Sequence, residues 1–530
     1  MEAPALGFGK ASDRLGAWGF YFIAKLVLFW RELIGLHPIE NLAFALLLAV
    51  PLASPRWRRL RHWLAVPVAV ALLYHDSWLP PIARVVSQAG MLSGFSLSYL
   101  TELAGRFVSW PVVAMLVIAA VLYFIVARFV RTDVFVLVAM LAVAIFQATE
   151  RPQGGVTASA VVARGDAVVK DPETLFKEFF DQEARRVVKF AKPPAGSIPF
   201  DVIFIHVCSL SWDDLEATGF DRHPLLKSFD LVLRRFNSAA SYSGPAVIRL
   251  LRAGCGQTSH KALYSPAPDR CLLMTALHKA GLETFLMLNH DGHYGDFLAT
   301  VKEQRVAVTP MPLDGIAVTQ RAFDQSRIHE DGEVLSRWIA TREKSGAARA
   351  ATYYNTISLH DGNRLVADAA KSSLETYKPR LARLLDDLDG FMKKLESGGR
   401  RTVVVMVPEH GAAVRGDATQ IAGLREIPSP AITLVPVGIR VIGPDARRIG
   451  EPLQITESTS YLALSHVISG MLDKSPYGAG GFRPADYTNG MPLTELVSEN
   501  EGTAILRRGD KYFLRQGEEA WKEYSVSPPR

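Results

Sequence analysis

The chain has 530 residues, 49% hydrophobic and 21% charged, with 59 Lys and Arg against 53 Asp and Glu and a net charge of +6. Three cysteines and a mean hydropathy of +0.12 exclude a disulfide-dense mini-scaffold and a disordered chain, and the length allows two or three structural units. Residues 1–150 hold 12 basic and 8 acidic side chains (13% charged) and residues 151–530 hold 47 and 45 (24%), which excludes a uniformly polytopic transporter and, with +4 of the +6 in the apolar third, argues against a nucleic-acid partner.

Apolar runs at 17–36, 39–54, 63–80, 111–131 and 133–149 predict an all-α transmembrane domain of about five helices over residues 1–150. A span needs about 20 residues, which the fourth run meets. The second and third runs are short, and His75 and Asp76 fall near the end of the third. Basic residues cluster at Lys10/Arg14, at Arg56/Arg58/Arg59/Arg61 and at Arg128/Arg131. Five spans place all three clusters on one side, the cytoplasm by the positive-inside rule, and an odd number of spans exports everything after residue 150. The stretch 84–108 reads as an interfacial helix on the outer face, and no cleavable signal peptide is evident.

Residues 151–195 read as a linker and connecting helix, the helical spacing lying at 173–191. Residues 196–530 then alternate strands (200–207, 284–288, 352–358, 402–407, 431–441) with helices (245–253, 271–280, 372–397, 458–473). That alternation predicts an α/β domain with a mostly parallel sheet covered on both faces. The stretch 503–515 reads as a hairpin around Gly509-Asp510.

Ligands of open α/β sheets bind beyond the carboxyl ends of the strands. Three such ends carry reactive residues: Cys208 in HVCSLSWDDL, His360-Asp361 after the 352–358 strand, and Glu409-His410 in VPEHGAA. Alone, Cys208 reads as a buried structural thiol and Glu409-His410 as a solvated turn. Together at neighbouring strand ends, a thiolate, a carboxylate and an imidazole form a zinc-type ligand set. In SYSGPAVIRLLRAGCG, Ser243 stands at a helix start with Pro245 in the first turn. A serine there is commonly only an N-cap, yet the free N–H groups of a helix start also favour an anion. A cation on its oxygen would make it a nucleophile toward phosphorus or sulfur. Cys255 and Cys271 are free to pair in an exported domain and would be reduced in a cytosolic one.

HVCSLSWDDL, SYSGPAVIRLLRAGCGQ and VPEHGAA, with the layout of membrane helices, linker and soluble domain, resemble the BcsG family of bacterial cellulose phosphoethanolamine transferases. The resemblance implies an alkaline-phosphatase-like periplasmic domain of the alkaline phosphatase/sulfatase superfamily behind an inner-membrane anchor. It implies one Zn²⁺ on Cys208, Ser243, Glu409 and His410, Ser243 as nucleophile, a Cys255–Cys271 disulfide, and Tyr242, His360 and Arg425 around the phosphate and acceptor. The expected donor is phosphatidylethanolamine, the acceptor cellulose, and the partners the bilayer and cellulose synthase subunits. The alternatives are a related transferase acting on lipid A or another envelope glycan, and a membrane scaffold subunit of the synthase. A sulfatase would want a C/S-x-P-x-R context that Ser243-Gly-Pro-Ala-Val does not supply.

Overall fold

A computed structural model describes residues 15–31, 34–77, 94–106, 110–127, 129, 132–150, 170–306, 309–417 and 419–525. The chain divides into two compact units, residues 1–92 with 103–167 and residues 93–102 with 168–530. Lys10/Arg14, Arg128/Arg131 and the whole 151–169 stretch lie outside the described residues.

The first unit is helical, with helices Trp18–Trp30, Pro38–Ala49, Pro55–Asp76, Trp110–Val126 and Thr132–Glu150. Phe22, Leu26, Phe44, Leu48, Val136 and Met140 form its apolar core. Inside it, Lys25 pairs with Asp76 and donates to Asn41 Oδ1 (2.7 Å), while Asn41 donates to Asp76 Oδ2 (2.8 Å). The exterior is apolar, with Trp63 77% exposed and Val138 60%. A polar network inside and hydrocarbon outside inverts the arrangement of a protein that folds in water. Among the described residues no single helix is long and apolar enough to cross a membrane. Among the described residues the 111–131 run, expected to span alone, is helical over Trp110–Val126; together with Leu97–Arg106 it has the length and apolar character of a span, the two helices bent by 55° at their break.

The second unit is built on a seven-stranded sheet. In chain order its strands are β1 (Asp201–Val207), β2 (Leu231–Asn237), β3 (Glu283–Leu288), β4 (Ala350–Thr356), β5 (Thr402–Met406), β6 (Leu434–Ile442) and β7 (Leu453–Thr459), and in space β7-β2-β6-β5-β1-β4-β3. Four of the six pairings are parallel; β6 alone runs against both its neighbours, so the sheet is mixed. Side chains alternate across a strand. Val202 and Phe204 of β1 therefore join the core packed by helices Ser243–Leu251, Leu273–Lys279 and Tyr461–Asp473. Ile203, Ile205 and Val207 join the opposite core under Asp331–Lys344 and Ser373–Gly398. Both faces are covered, which is why these strands read as continuous apolar runs.

The predicted elements shift in detail. The 173–191 helix stops at Glu183, with Asp171 capping its start, and the 352–358 strand runs Ala350–Thr356. Residues 430–433 form a helical turn before β6, and residue 458 belongs to β7 rather than to the helix that begins at Tyr461. A four-stranded sheet closes the chain, containing the Thr503–Arg508/Lys511–Gln516 hairpin, whose Gly509 has φ +60°.

Candidate metal centre

Strands β5, β1 and β4 lie side by side and parallel, so their carboxyl ends open at one place. β1 delivers Cys208, followed by Ser209 in the left-handed region (φ 65°), which turns the chain away from the sheet. β5 delivers Glu409 and His410, whose backbone is tied to the β1 end by Glu409 N–H to Val207 O (2.8 Å) and Leu210 N–H to His410 O (2.6 Å). Asp214, in the capping box of helix Trp212–Thr218, accepts from Ala412 N–H at 2.7 Å and holds the following loop. A Cβ on Gly411 would stand 2.6 Å from Ser211 Oγ and 2.9 Å from Asp214 Oδ2, so the position after the histidine must be glycine. Ser243 opens helix Ser243–Leu251 with no side-chain cap at Tyr242, leaving first-turn N–H groups available.

These residues converge. The ligand atoms of Cys208, Glu409 and His410 all lie within 4.8 Å of one another. Ser243 Oγ is 3.3 Å from Cys208 Sγ and 3.3 Å from His410 Nε2, and His410 Nε2 is 3.9 Å from Glu409 Oε2. Four ligands of a tetrahedral zinc stand roughly 3.3–3.8 Å apart, given bonds of 2.0–2.3 Å. Glu409 Oε1 accepts from Asn355 Nδ2 (2.6 Å), while Oε2 is buried and has no hydrogen-bond partner among the described residues. His410 Nδ1 lies 2.9 Å from Gly411 O, which can only accept; Nδ1 therefore carries the proton and Nε2 presents its lone pair to the cluster. Spacing, an idle carboxylate oxygen and a fixed imidazole tautomer all fit a divalent cation.

The electrostatics agree. Cys208, Glu409 and His410 are fully buried. Burial, and then the Glu409 charge, pushes the Cys208 thiol up to about 12; burial raises the Glu409 carboxyl; burial and then Arg425 hold His410 well below its ordinary value. A soft cation reverses the first two tendencies by taking the deprotonated forms as ligands.

Arg425 and Tyr242 stand beside the cluster. Arg425 Nη1 donates to Ser209 Oγ (3.0 Å) and lies 3.4 Å from His410 Nδ1; its guanidinium is over the Tyr242 ring at 5.6 Å, and the Tyr242 hydroxyl donates to Glu426 (2.5 Å). His360 sits four residues past the end of β4 and packs against the Tyr294 and Phe323 rings, with centroids at 5.3 and 5.5 Å. Its Nδ1 donates to Asp361 O (2.6 Å), and burial, then Arg425, lowers it to about 4. At neutral pH it is an uncharged base. Cys255 and Cys271 form a disulfide, leaving Cys208 as the free cysteine. Asn355 and His206 escape sequence reasoning. A polar residue inside the apolar run ATYYNTIS was the available signal for Asn355; His206, whose Nδ1 meets Tyr353 OH at 2.9 Å, carries no such mark in FIHV.

A doubly covered α/β sheet with a buried, cation-ready ligand set beside a helix-borne serine defines the class of this molecule. Family models named Cellulose biosynthesis protein BcsG C-terminal domain and N-terminal domain match residues 158–521 and 18–145. The Cellulose biosynthesis protein BcsG of Escherichia coli (strain K12) is 38% identical over 540 residues, covering 96% of each chain. The chain belongs to the cellulose biosynthesis protein BcsG family. Among solved structures, a protein in the alkaline phosphatase superfamily from Vibrio parahaemolyticus aligns at 10% identity and TM-score 0.47 over 67% of this chain and 88% of its own. The C-terminal periplasmic domain of EptC from Escherichia coli, in complex with Zn, aligns at 14% identity and TM-score 0.44 over 59% and 94%.

Proposed function

We propose that this chain is a zinc-dependent phosphoethanolamine transferase of the bacterial inner membrane, with an alkaline-phosphatase-like catalytic unit in the periplasm. It moves phosphoethanolamine from phosphatidylethanolamine to glucosyl hydroxyls of cellulose through a covalent phosphoserine. The observation that carries this reading is the meeting of Cys208, Glu409 and His410 around the Ser243 hydroxyl. Anchoring through the apolar amino-terminal third would keep the chain at the bilayer that holds its lipid donor and give cellulose synthase subunits a surface to contact.

Cys208, Glu409, His410 and Ser243 Oγ would hold Zn²⁺, which supplies Lewis-acid charge that makes the serine hydroxyl acidic. Ser243 Oγ gives its proton to water and bonds to phosphorus as the ester bond to diacylglycerol breaks, and the departing oxygen takes a proton from water, so the two transfers balance. First-turn N–H groups of helix Ser243–Leu251 and the Arg425 guanidinium face the charge that develops on the phosphoryl oxygens. Tyr242 positions Arg425 through its ring. In the second displacement a glucosyl oxygen bonds to phosphorus, its proton passes to His360 Nε2, and Ser243 Oγ departs. With a value of about 4, His360 gives that proton back to water.

Cellulose made by cells carrying S243A tests the proposal. Phosphoethanolamine on the polymer should fall on the order of 1,000-fold or more. Cellulose that keeps its modification refutes the role of Ser243, and modification moved to lipid A or another glycan refutes the acceptor.

A further inference from the structure

Helix Ser243–Leu251 carries a second buried group at its far end. Arg249 is 4% exposed and lines a 280 Å³ cavity beside the Cys255–Cys271 disulfide, and that lining includes none of the candidate metal ligands. Its Nη1 donates to Thr258 O (2.9 Å), but Nε and Nη2 are buried with no hydrogen-bond partner among the described residues. Those two N–H groups form one edge of the guanidinium, the parallel pair that matches a carboxylate or phosphate. Tyr461, also 4% exposed, lines the same cavity, and its hydroxyl is buried with no hydrogen-bond partner among the described residues. Two residues that line one space thus each carry a buried donor with no partner among the described residues, and each unmade bond costs about 1–3 kcal/mol, more for a charged group.

The acidic groups nearby are otherwise engaged. Glu183 pairs with Arg186 and accepts from Gln257 N–H (2.9 Å), and Glu499, whose field reaches Arg249, accepts from His260 N–H (2.8 Å). The second cation on the wall, Arg252, donates to Gln304 Oε1 (2.7 Å). The remaining wall is largely apolar, including Leu263, Pro266 and Leu462. The volume is at the low end for small-ligand sites, too small for a glycan chain or an intact phospholipid.

We infer that this cavity is a binding site for a small organic anion, one carboxylate or phosphate group on a short, largely apolar body, held by the Nε/Nη2 edge of Arg249 and the Tyr461 hydroxyl. The inference does not depend on the transfer reaction. Titration calorimetry on the full chain in detergent tests it, with hexanoate and inorganic phosphate as probes and hexanol as the uncharged control. One or both anions should saturate a single site that hexanol does not fill, hexanoate marking a carboxylate ligand and phosphate alone marking a phosphate ligand. R249M should weaken binding about tenfold or more, and Y461F, which deletes a single oxygen and keeps the fold, about threefold. No saturable binding of either anion overturns the inference. So does binding unchanged in both variants, as expected of phosphate held beside Ser243.

Discussion

Glu409 has one oxygen committed and one idle, and the difference traces to Asn355. The amide of Asn355 donates to Oε1 at 2.6 Å, fixing the carboxylate so that Oε2 turns toward His410 Nε2. Outer-shell partners of this kind are worth about 10–100-fold in metal affinity. N355A should therefore lower zinc affinity by that factor while the protein stays folded, as read by chelator competition; unchanged affinity would assign Asn355 to packing alone. The ligand types were legible because Cys, Glu-His and Ser each follow a strand or open a helix in the sequence. Their mutual spacing was not, since the distances depend on the register of β5, β1 and β4 and on the turns that follow them, which no single motif encodes. The same limit hid His206, an imidazole inside an otherwise apolar strand.

Among the elements, the parallel strands were readable because both of their faces are buried. β2 was missed because Arg234 and Arg235 interrupt its apolar pattern; Arg234 lies over the Trp212 ring at 3.9 Å, which gives the charge a place on a covered sheet. β7, with the sequence LQITEST, is a largely polar edge strand, and the reversal of β6 is a matter of connection that composition does not carry. Helix Ser373–Gly398 shows how two elements meet at some cost. Its Asp387 faces Asp331 and Glu330 of the neighbouring segment, with Arg383 and the Gly332 N–H as the favourable contacts, and burial, then those two acids, pushes its carboxyl up to about 7. A raised carboxyl pKa means the folded state holds the proton more tightly, so stability falls as pH rises from about 4 to about 7. D387N should raise the melting temperature by a few degrees at pH 8 and change it little at pH 4. An equal shift at both pH values would show that Asp387 is not strained by its charge.

At the scale of the whole molecule, the uneven charge and the two compact units tell related stories. The poorly charged amino-terminal third supplies the helices whose outer surfaces expose Trp63, Val138 and their like, and the charged remainder supplies the candidate metal centre. Separate apolar runs were legible, whereas the pairing of Leu97–Arg106 with Trp110–Val126 as one bent candidate span was not, because 84–108 alone reads as interfacial. The proposed anchoring makes a simple demand: the full chain should remain with the membrane fraction after an alkaline carbonate wash, and release into the supernatant would contradict it. The central claim is that Ser243 carries the transferred group. The most direct test incubates the purified full chain with phosphatidylethanolamine and no cellulose, then analyses its peptides by mass spectrometry. The account predicts one phosphoethanolamine on the peptide containing Ser243, lost in S243A and discharged when cellulose is added. An unmodified Ser243 in a preparation that nevertheless modifies cellulose would contradict it.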